Sequence, residues 1–227
     1  MTATKHIFVI AGGPMESREF LRSRLEELHP VELICADGGA RHLDALGLTP
    51  DVIIGDMDSL SPEILHRCEE HGSRILRYPR EKDETDLQLA LEYALNFRPD
   101  EILVFGCLGG RVDHTLAGIS LLVWIAEMGI PAKLEDEWCE VFVVTKSAKI
   151  NGTPGQTVSL FPLSSAVQGI ELQGFEYPLS EAMMEIGRPY GISNRLTEEN
   201  ASIFIASGYL LVIRYYKPGV FPEEDLL

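Results

Sequence analysis

The chain of 227 residues can form one large domain or two small ones, and its 45% apolar and 24% charged residues are typical of a globular protein. A net charge of −16 argues against a nucleic-acid backbone or an anionic membrane surface as the main partner. There is no apolar run that could cross a bilayer, no basic-then-apolar leader and no CxxC pair among the four cysteines, so we expect a reducing, cytoplasmic location.

Short apolar runs alternate with helical patterns over residues 1–131. The predicted strands are His6–Ala11, Val31–Ala36, Val52–Ile54, Ser73–Tyr78 and Glu101–Phe105. The predicted helices are Glu16–Leu28, Ala40–Leu46, a segment from Pro62 to near Gly72, Thr85–Leu95 and Leu116–Met128. The last helix is apolar almost all round, and we therefore expect it to be buried. The alternation predicts an open, mostly parallel sheet flanked by helices.

After Pro131 the pattern changes to short β-like runs separated by turn residues such as Asn151-Gly152 and Ser207-Gly208. Only Leu179–Glu185 has a helix-like pattern here. This sequence pattern predicts a smaller antiparallel β-sandwich. The fold class is therefore α/β with an added all-β unit, and we place the two domains at 1–131 and 132–227.

Chemically suggestive residues fall in the loops that follow the five predicted strands. In open parallel sheets the ligand crevice lies beyond the carboxyl ends of the strands, so these loops should converge. In chain order they are Gly12 and Gly13; Asp37, Gly38 and Gly39; Asp56 and Asp58; Lys82, Asp83, Thr85 and Asp86; and Arg111, Asp113 and His114.

Two of these acidic motifs have a structural and a chemical interpretation. Asp56 and Asp58 are either turn formers or, at positions i and i+2 of an extended segment, two oxygen ligands that face one hard cation such as Mg²⁺. Asp83 and Asp86 have the spacing of an N-cap and a first-turn acid, and either could also complete a metal site.

The remaining loops suggest phosphate binding and proton transfer. Paired glycines form turns but also let backbone N–H groups approach a phosphate. Arginine suits planar phosphate recognition, and aspartate or histidine suits proton transfer.

The other histidines have no such neighbours, and we expect them at the surface or at an edge; they are His6, His29, His42, His66 and His71. The combined pattern indicates Mg²⁺-dependent transfer from a nucleotide, without a P-loop or a kinase-type glycine loop.

Five motifs in this order resemble those of the thiamine pyrophosphokinase (thiamine diphosphokinase) family. They are Asp37–Ala40 (DGGA), Gly55–Ser59 (GDMDS), Lys82–Asp86 (KDETD), Gly110–His114 (GRVDH) and Gly191–Asn194 (GISN). The resemblance covers nearly the whole chain. It implies transfer of a diphosphoryl group from ATP to thiamine, with Mg²⁺, by a homodimer whose active site lies near the subunit interface.

The resemblance also implies roles for single residues. Asp56, Asp58 and Asp86, with Asp83 as a further candidate, would hold Mg²⁺ on the ATP phosphates, and Lys82 and Arg111 would offset phosphate charge. Asp113 or His114 would act on the thiamine hydroxyl. Asp37 would belong to the same acidic set, and the nucleotide would be lined by Gly12, Gly13, Asp37, Gly38, Gly39 and Thr85. Thiamine would contact Ser193 and Asn194 in an all-β thiamine-binding and dimerisation domain, with Tyr190 as the candidate aromatic partner.

Two other functions fit part of the pattern. A strand followed by Asp-x-Asp is also the hallmark of haloacid dehalogenase-type phosphatases, in which the first aspartate is a nucleophile. That motif usually follows the first strand, whereas here it follows the third. A non-catalytic module that binds a nucleotide or thiamine is the second alternative, although it would not need so many carboxylates.

Overall fold

The computed structural model describes residues 4–188 and 190–218 of the chain. The chain divides into two compact units, Met1–Glu137 and Trp138–Leu227. The change of pattern after Pro131 predicted the division near residue 131. The observed boundary, after Glu137, lies later in the chain. The reason is that Ala132–Glu135, expected in the β unit, pairs as a parallel strand with Glu101–Phe105 of the first unit.

The first unit is built on six parallel strands. They are β1 (His6–Ile10), β2 (Glu32–Ala36), β3 (Val52–Gly55), β4 (Arg74–Arg77), β5 (Glu101–Phe105) and β6 (Ala132–Glu135), in the spatial order β6-β5-β1-β2-β3-β4. The central strand β1 is buried on both faces, with Ile7, Phe8, Val9 and Ile10 each 0% exposed. This explains why its sequence is continuously apolar rather than alternating.

Helices join these strands. They are α1 (Arg18–Leu28), α2 (Ala40–Asp44), α3 (Pro62–Glu70), α4 (Asp86–Leu95) and α5 (Val112–Glu127), and a short 3₁₀ turn at Asp37–Gly39 precedes α2. The N-cap of α4 is Thr85, whose side chain accepts a hydrogen bond from the backbone N–H of Gln88. The interpretation of Asp83 as the N-cap was therefore wrong, because the hydroxyl directly before the helix takes that position.

Helix α5 is less buried than its composition predicts. Gly118, Leu122 and Ile125 are buried in the unit, whereas Val112 is 71% exposed and Leu116 is 59% exposed. An all-round apolar pattern predicts burial without specifying the partner, and the part of the chain that the structure describes buries only some positions of the helix. Among the described residues, no helix is both long and apolar enough to cross a membrane.

The second unit contains two antiparallel sheets. One has the order β12-β9-β14-β7 and the other β11-β10-β13-β8. These strands are β7 (Cys139–Val144), β8 (Ser147–Asn151), β9 (Thr157–Pro162), β10 (Ala166–Gln173), β11 (Ala182–Glu185), β12 (Gly191–Arg195), β13 (Asn200–Phe204) and β14 (Leu210–Tyr215). One apolar cluster draws side chains from both sheets, including Val158, Leu160, Ile170 and Ile203, which confirms the sandwich.

The helix-like pattern at Leu179–Glu185 was misleading. The segment contains the strand β11, in which Met184 is 0% exposed and its neighbour Met183 is 51% exposed. In-and-out alternation of this kind belongs to a strand, and pairing with β10 decides the conformation.

Gly118 generates the first testable prediction. A Cβ at this position would overlap the Sγ atom of Cys107. We expect Gly118→Ala to lower the free energy of unfolding in urea by about 1–3 kcal/mol through overpacking, although alanine gains roughly 1 kcal/mol in helix propensity. The exposed Ser120→Ala is the control, and Cys107→Ala should rescue Gly118→Ala. A Gly118→Ala protein as stable as wild type would contradict this packing.

Candidate functional site

A cavity of about 620 Å³ lies at the carboxyl ends of the parallel strands of the first unit. It is lined by residues from the loops after β1, β2 and β3, from the start of α4 and from the loop after β5. The predicted residues among them are Gly12, Gly13, Asp37, Gly38, Thr85, Asp86, Arg111, Asp113 and His114. The convergence of the loops, expected from the sheet topology, is thus present in the structure.

Three carboxylates gather at this edge of the sheet. Asp37, Asp56 and Asp86 each place an oxygen so that all three lie within 4.8 Å of one another. Asp37 is 5% exposed; its Oδ2 accepts a hydrogen bond from the N–H of Ser59, and its Oδ1 has no hydrogen-bond partner among the described residues. Burial raises the pKa of Asp37, and the charges of Asp86 and Asp56 raise it further against the opposing Ser59 hydrogen bonds. Such an oxygen set fits a hard divalent cation.

The strand end explains how three acids can approach each other. A Cβ at Gly55 would lie 2.8 Å from Cβ of Asp37 and 3.1 Å from Cγ of Asp86. Any side chain at this position would push the two carboxylates away. Gly55 is named above only as part of the GDMDS motif, although a glycine that ends an apolar strand just before an acidic motif was the signal for this role.

Asp58 lies outside the carboxylate cluster. Met57 has a left-handed φ of 66°, so the segment is not extended and its two carboxylates do not face one point. The Asp58 N–H donates to Oδ1 of Asp56, and its carboxylate accepts from the Ser59 hydroxyl and lies 3.8 Å from Nε of Arg80. The expectation of a shared direction was therefore wrong, whereas the assignment of Asp58 as a ligand stays a prediction.

The Lys82–Asp86 motif contributes one acid to the cluster. Asp86 belongs to it, and Nζ of Lys82 lies 2.9 Å from Asp86 Oδ1. Asp83 is exposed and is not part of the cluster. The geometry thus favours Asp86 over Asp83 in the choice that the sequence left open.

The loop after β5 carries an ion pair at the start of α5. Nη2 of Arg111 donates to Oδ2 of Asp113 at 2.6 Å, and the N–H of His114 donates to Oδ1 of Asp113. The Arg111 hydrogen bond is the main cause that lowers the pKa of Asp113 to about 2. Asp113 is therefore ionised at neutral pH and is a weak base.

The glycine loops after β1 and β2 pack closely against neighbouring backbone beside the cavity. A Cβ at Gly39 would overlap the carbonyl oxygen of Ile10, and one at Gly13 would overlap that of Gly106. Gly38 lines the cavity, whereas Gly39 serves this close packing. These contacts are the structural reason for glycine at both positions.

Sequence reasoning missed two residues beside these loops. Arg41 donates to the carbonyl oxygen of Gly12, and Nε2 of His42 lies 2.9 Å from that of Gly13. The expectation that His42 lies at the surface was wrong, because it is 5% exposed. Their position directly after Asp37–Gly39 was the signal that could have found them.

In the second unit, the side-chain amide of Asn194 is hydrogen-bonded to backbone groups. Its Oδ1 accepts from the N–H of Tyr177 at 3.0 Å, and its Nδ2 donates to the carbonyl of Tyr177 at 2.8 Å. Ser193 is exposed and has a left-handed φ of 59°. A cavity of about 190 Å³ lies here, lined by Leu172, Tyr177, Leu179, Tyr190, Gly191, Ile192 and Asn194. Tyr177 is thus a second aromatic candidate beside Tyr190.

Comparison with known proteins identifies the family. A model described as thiamin pyrophosphokinase, catalytic domain, matches residues 29–134, and one described as thiamin pyrophosphokinase, vitamin B1 binding domain, matches residues 141–210. The thiamine pyrophosphokinase of Bacillus subtilis (strain 168) is 33% identical over 212 residues, covering 92% of this chain and 98% of that protein. This chain belongs to the thiamine pyrophosphokinase family.

Solved structures of thiamine pyrophosphokinases have the same fold. The crystal structure of the Bacillus subtilis enzyme has a TM-score of 0.82 at 30% identity and covers 94% of this chain and 100% of that chain. That of Geobacillus thermodenitrificans has a TM-score of 0.81 at 26% identity and covers 95% and 100%. The family resemblance and the α/β-plus-sandwich fold expected from the sequence are confirmed.

The Asp37→Asn variant tests whether the carboxylate cluster binds a cation. We expect Mg²⁺ at 100 times its Kd to stabilise the wild type by about 2.7 kcal/mol. Asp37→Asn removes one of three like charges, so its metal-free form should be more stable at neutral pH while the Mg²⁺ effect is largely lost. Thermal unfolding with and without Mg²⁺ measures both.

The pH dependence has a definite sign. Because the pKa of Asp37 is raised, the metal-free wild type should lose stability as the pH rises from 3.8 through the raised value. Glu84→Gln, at an exposed acid outside the cluster, is the control and should retain the Mg²⁺ effect. A full Mg²⁺ effect in Asp37→Asn would contradict the assignment.

Proposed function

We propose that this protein transfers the diphosphoryl group of ATP to the hydroxyl of thiamine, giving thiamine diphosphate and AMP. The observation that carries the proposal is the cluster of Asp37, Asp56 and Asp86 beside a glycine-lined cavity in a chain of this family. A nucleoside triphosphate needs cations for its phosphates and backbone groups that can approach them. The carboxylates at this edge of the sheet would hold such a cation, and the glycine loops expose their backbone.

Magnesium is the cation that this site suits best. Asp37, Asp56 and Asp86 would hold it, and the unpartnered Oδ1 of Asp37 is a ready ligand atom. When bound, Mg²⁺ would neutralise charge on the phosphates. Lys82, which pairs with Asp86, and Arg111 would add positive charge beside the transferred group. Asp58 and Asp83 remain proposed ligands, for which a shift of the loops would be required.

The transfer is an in-line displacement at the β-phosphorus. The thiamine oxygen forms a bond to that phosphorus, the bond to the bridging oxygen of AMP breaks, and the hydroxyl proton leaves. Asp113 is a weak base, because Arg111 holds its pKa at about 2. We therefore assign it to orienting the hydroxyl and assign the proton to His114, which lines the same cavity.

The second unit is proposed to bind thiamine. The cavity between Tyr177 and Tyr190 offers aromatic side chains to its rings, and Ser193 and Asn194 lie on the adjoining strand. Since the amide of Asn194 is occupied by the backbone of Tyr177, we infer that Asn194 shapes this cavity rather than contacting thiamine through its amide.

We further propose a homodimer whose active site lies near the subunit interface. Large apolar side chains that this chain alone leaves exposed support the assembly, among them Val112, Leu116, Ile186 and Ile192. A cytoplasmic location is supported by Cys35, Cys68 and Cys107, which are buried and carry free thiols.

Product analysis tests the reaction. Incubation with Mg-ATP and thiamine should give AMP and thiamine diphosphate in equal amounts, separated by chromatography. ADP in place of AMP would contradict diphosphoryl transfer. Phosphate release with an intermediate trapped on Asp56 would instead support the phosphatase alternative, and tight binding without turnover would support the non-catalytic module.

The proton assignment predicts different effects for two neighbouring residues. We expect His114→Ala to lower kcat by about 10²-fold, the low end of general-base effects. Asp113→Asn should lower kcat less, because Asp113, with a pKa of about 2, is too weak a base to take the proton. Near-normal turnover in both variants would rule out a role for either residue.

A further inference from the structure

The backbone of the first glycine loop, Gly12-Gly13, is held by side chains of helix α2, which follows the second glycine loop, Gly38-Gly39. Arg41 and His42, adjacent residues of α2, donate to the carbonyl oxygens of Gly12 and Gly13. On the opposite side, the N–H of Gly13 donates to the carbonyl of Gly106 at 2.8 Å. The peptide between the two glycines is therefore fixed from both sides, although glycine has the greatest backbone freedom of all residues.

His42 occupies this position in one defined form. Nε2 lies 2.9 Å from the Gly13 oxygen, which has only lone pairs, so Nε2 must carry the proton. Nδ1 is buried and has no hydrogen-bond partner among the described residues. Burial lowers the pKa of His42, and the charges of Arg41 and Arg18 lower it further, whereas the Gly13 hydrogen bond raises it. A neutral, Nε2-protonated imidazole follows from these contacts.

The burial of this imidazole is not explained by packing alone. A polar group buried with one unsatisfied nitrogen costs free energy that an apolar side chain of similar size would not. Gly12, Gly13 and Arg41 line the cavity, whereas His42 is not among its lining residues. Any effect of His42 on a ligand must therefore pass through the Gly13 carbonyl.

We propose that His42 is a positioning residue for ATP, which holds the Gly13 carbonyl so that the glycine loop is preorganised for the phosphates. Without this hydrogen bond, Arg41 and Gly106 still hold the preceding peptide, but the Gly13 carbonyl must be ordered by the nucleotide itself, and its freed dipole can turn toward the anionic phosphates. Affinity for ATP therefore depends on His42, and affinity for thiamine does not. The inference rests on the proposed function, since it takes the cavity of the first unit as the nucleotide site.

Four variants separate this role from a structural one. His42→Gln keeps an N–H donor at about the reach of Nε2, His42→Asn carries the same amide one carbon shorter, and His42→Leu has no donor. Leu43→Val, at a fully buried neighbour on α2, controls for general loosening of the helix. The measurements are KM for Mg-ATP and for thiamine, kcat, Kd for a non-hydrolysable ATP analogue with Mg²⁺, and Tm.

We expect the KM and Kd for the nucleotide to rise about tenfold in His42→Asn and His42→Leu, the loss of one hydrogen bond. His42→Gln should recover wild-type values within about threefold, and the KM for thiamine should stay unchanged in all variants. Nucleotide values in His42→Leu within twofold of wild type would overturn the proposal. Equal increases of the nucleotide KM and Kd in His42→Leu and Leu43→Val at equal Tm would also overturn it. So would a nucleotide affinity of His42→Gln that is no higher than that of His42→Asn. A wild type that makes no thiamine diphosphate would instead refute the proposed function.

Discussion

The mutual repulsion of Asp37, Asp56 and Asp86 is the constraint on which the site depends. Three carboxylates within 4.8 Å of one another are held together by the fold, against their charges and, for Asp37, against burial. This arrangement is unfavourable for the free protein, and the proposed cation would make it favourable. The opposition between stability and function is therefore concentrated in these residues, as is common where a site is preorganised for a charged ligand.

The backbone around the cluster makes this crowding possible. Gly55 leaves room that a Cβ would fill, and Asp37 and Met57 have left-handed φ values of 38° and 66°. Such conformations are uncommon for residues other than glycine and persist only where surrounding contacts enforce them. The parallel strands β2 and β3 supply those contacts, since each segment begins where the buried end of a strand stops.

The sequence predicted what depends on pattern and chain order. The five strands, the change to a β-sandwich and the convergence of loops follow from hydrophobic periodicity and from the geometry of parallel sheets. It did not predict what depends on a single dihedral angle or on a tertiary contact. The φ of Met57 separates Asp58 from Asp56, pairing with β10 makes a strand of Ala182–Glu185, and the carbonyl of Gly13 draws His42 inside.

Asn194, which lies in a predicted motif, and His42, which lies outside all of them, illustrate one limit of motif reasoning. A motif identifies polar residues that stand near a ligand, and the simplest inference is that each side chain touches it. Both side chains are 5% exposed and bind backbone: His42 the carbonyl of Gly13, Asn194 both polar groups of Tyr177. Gly13 and Tyr177 lie outside the strands, so a buried side chain takes the place of a ladder partner for the backbone groups that His42 and Asn194 bind. In this chain the polar residues beside a cavity thus divide into those whose polar groups are open to it and those that hold the backbone that lines it.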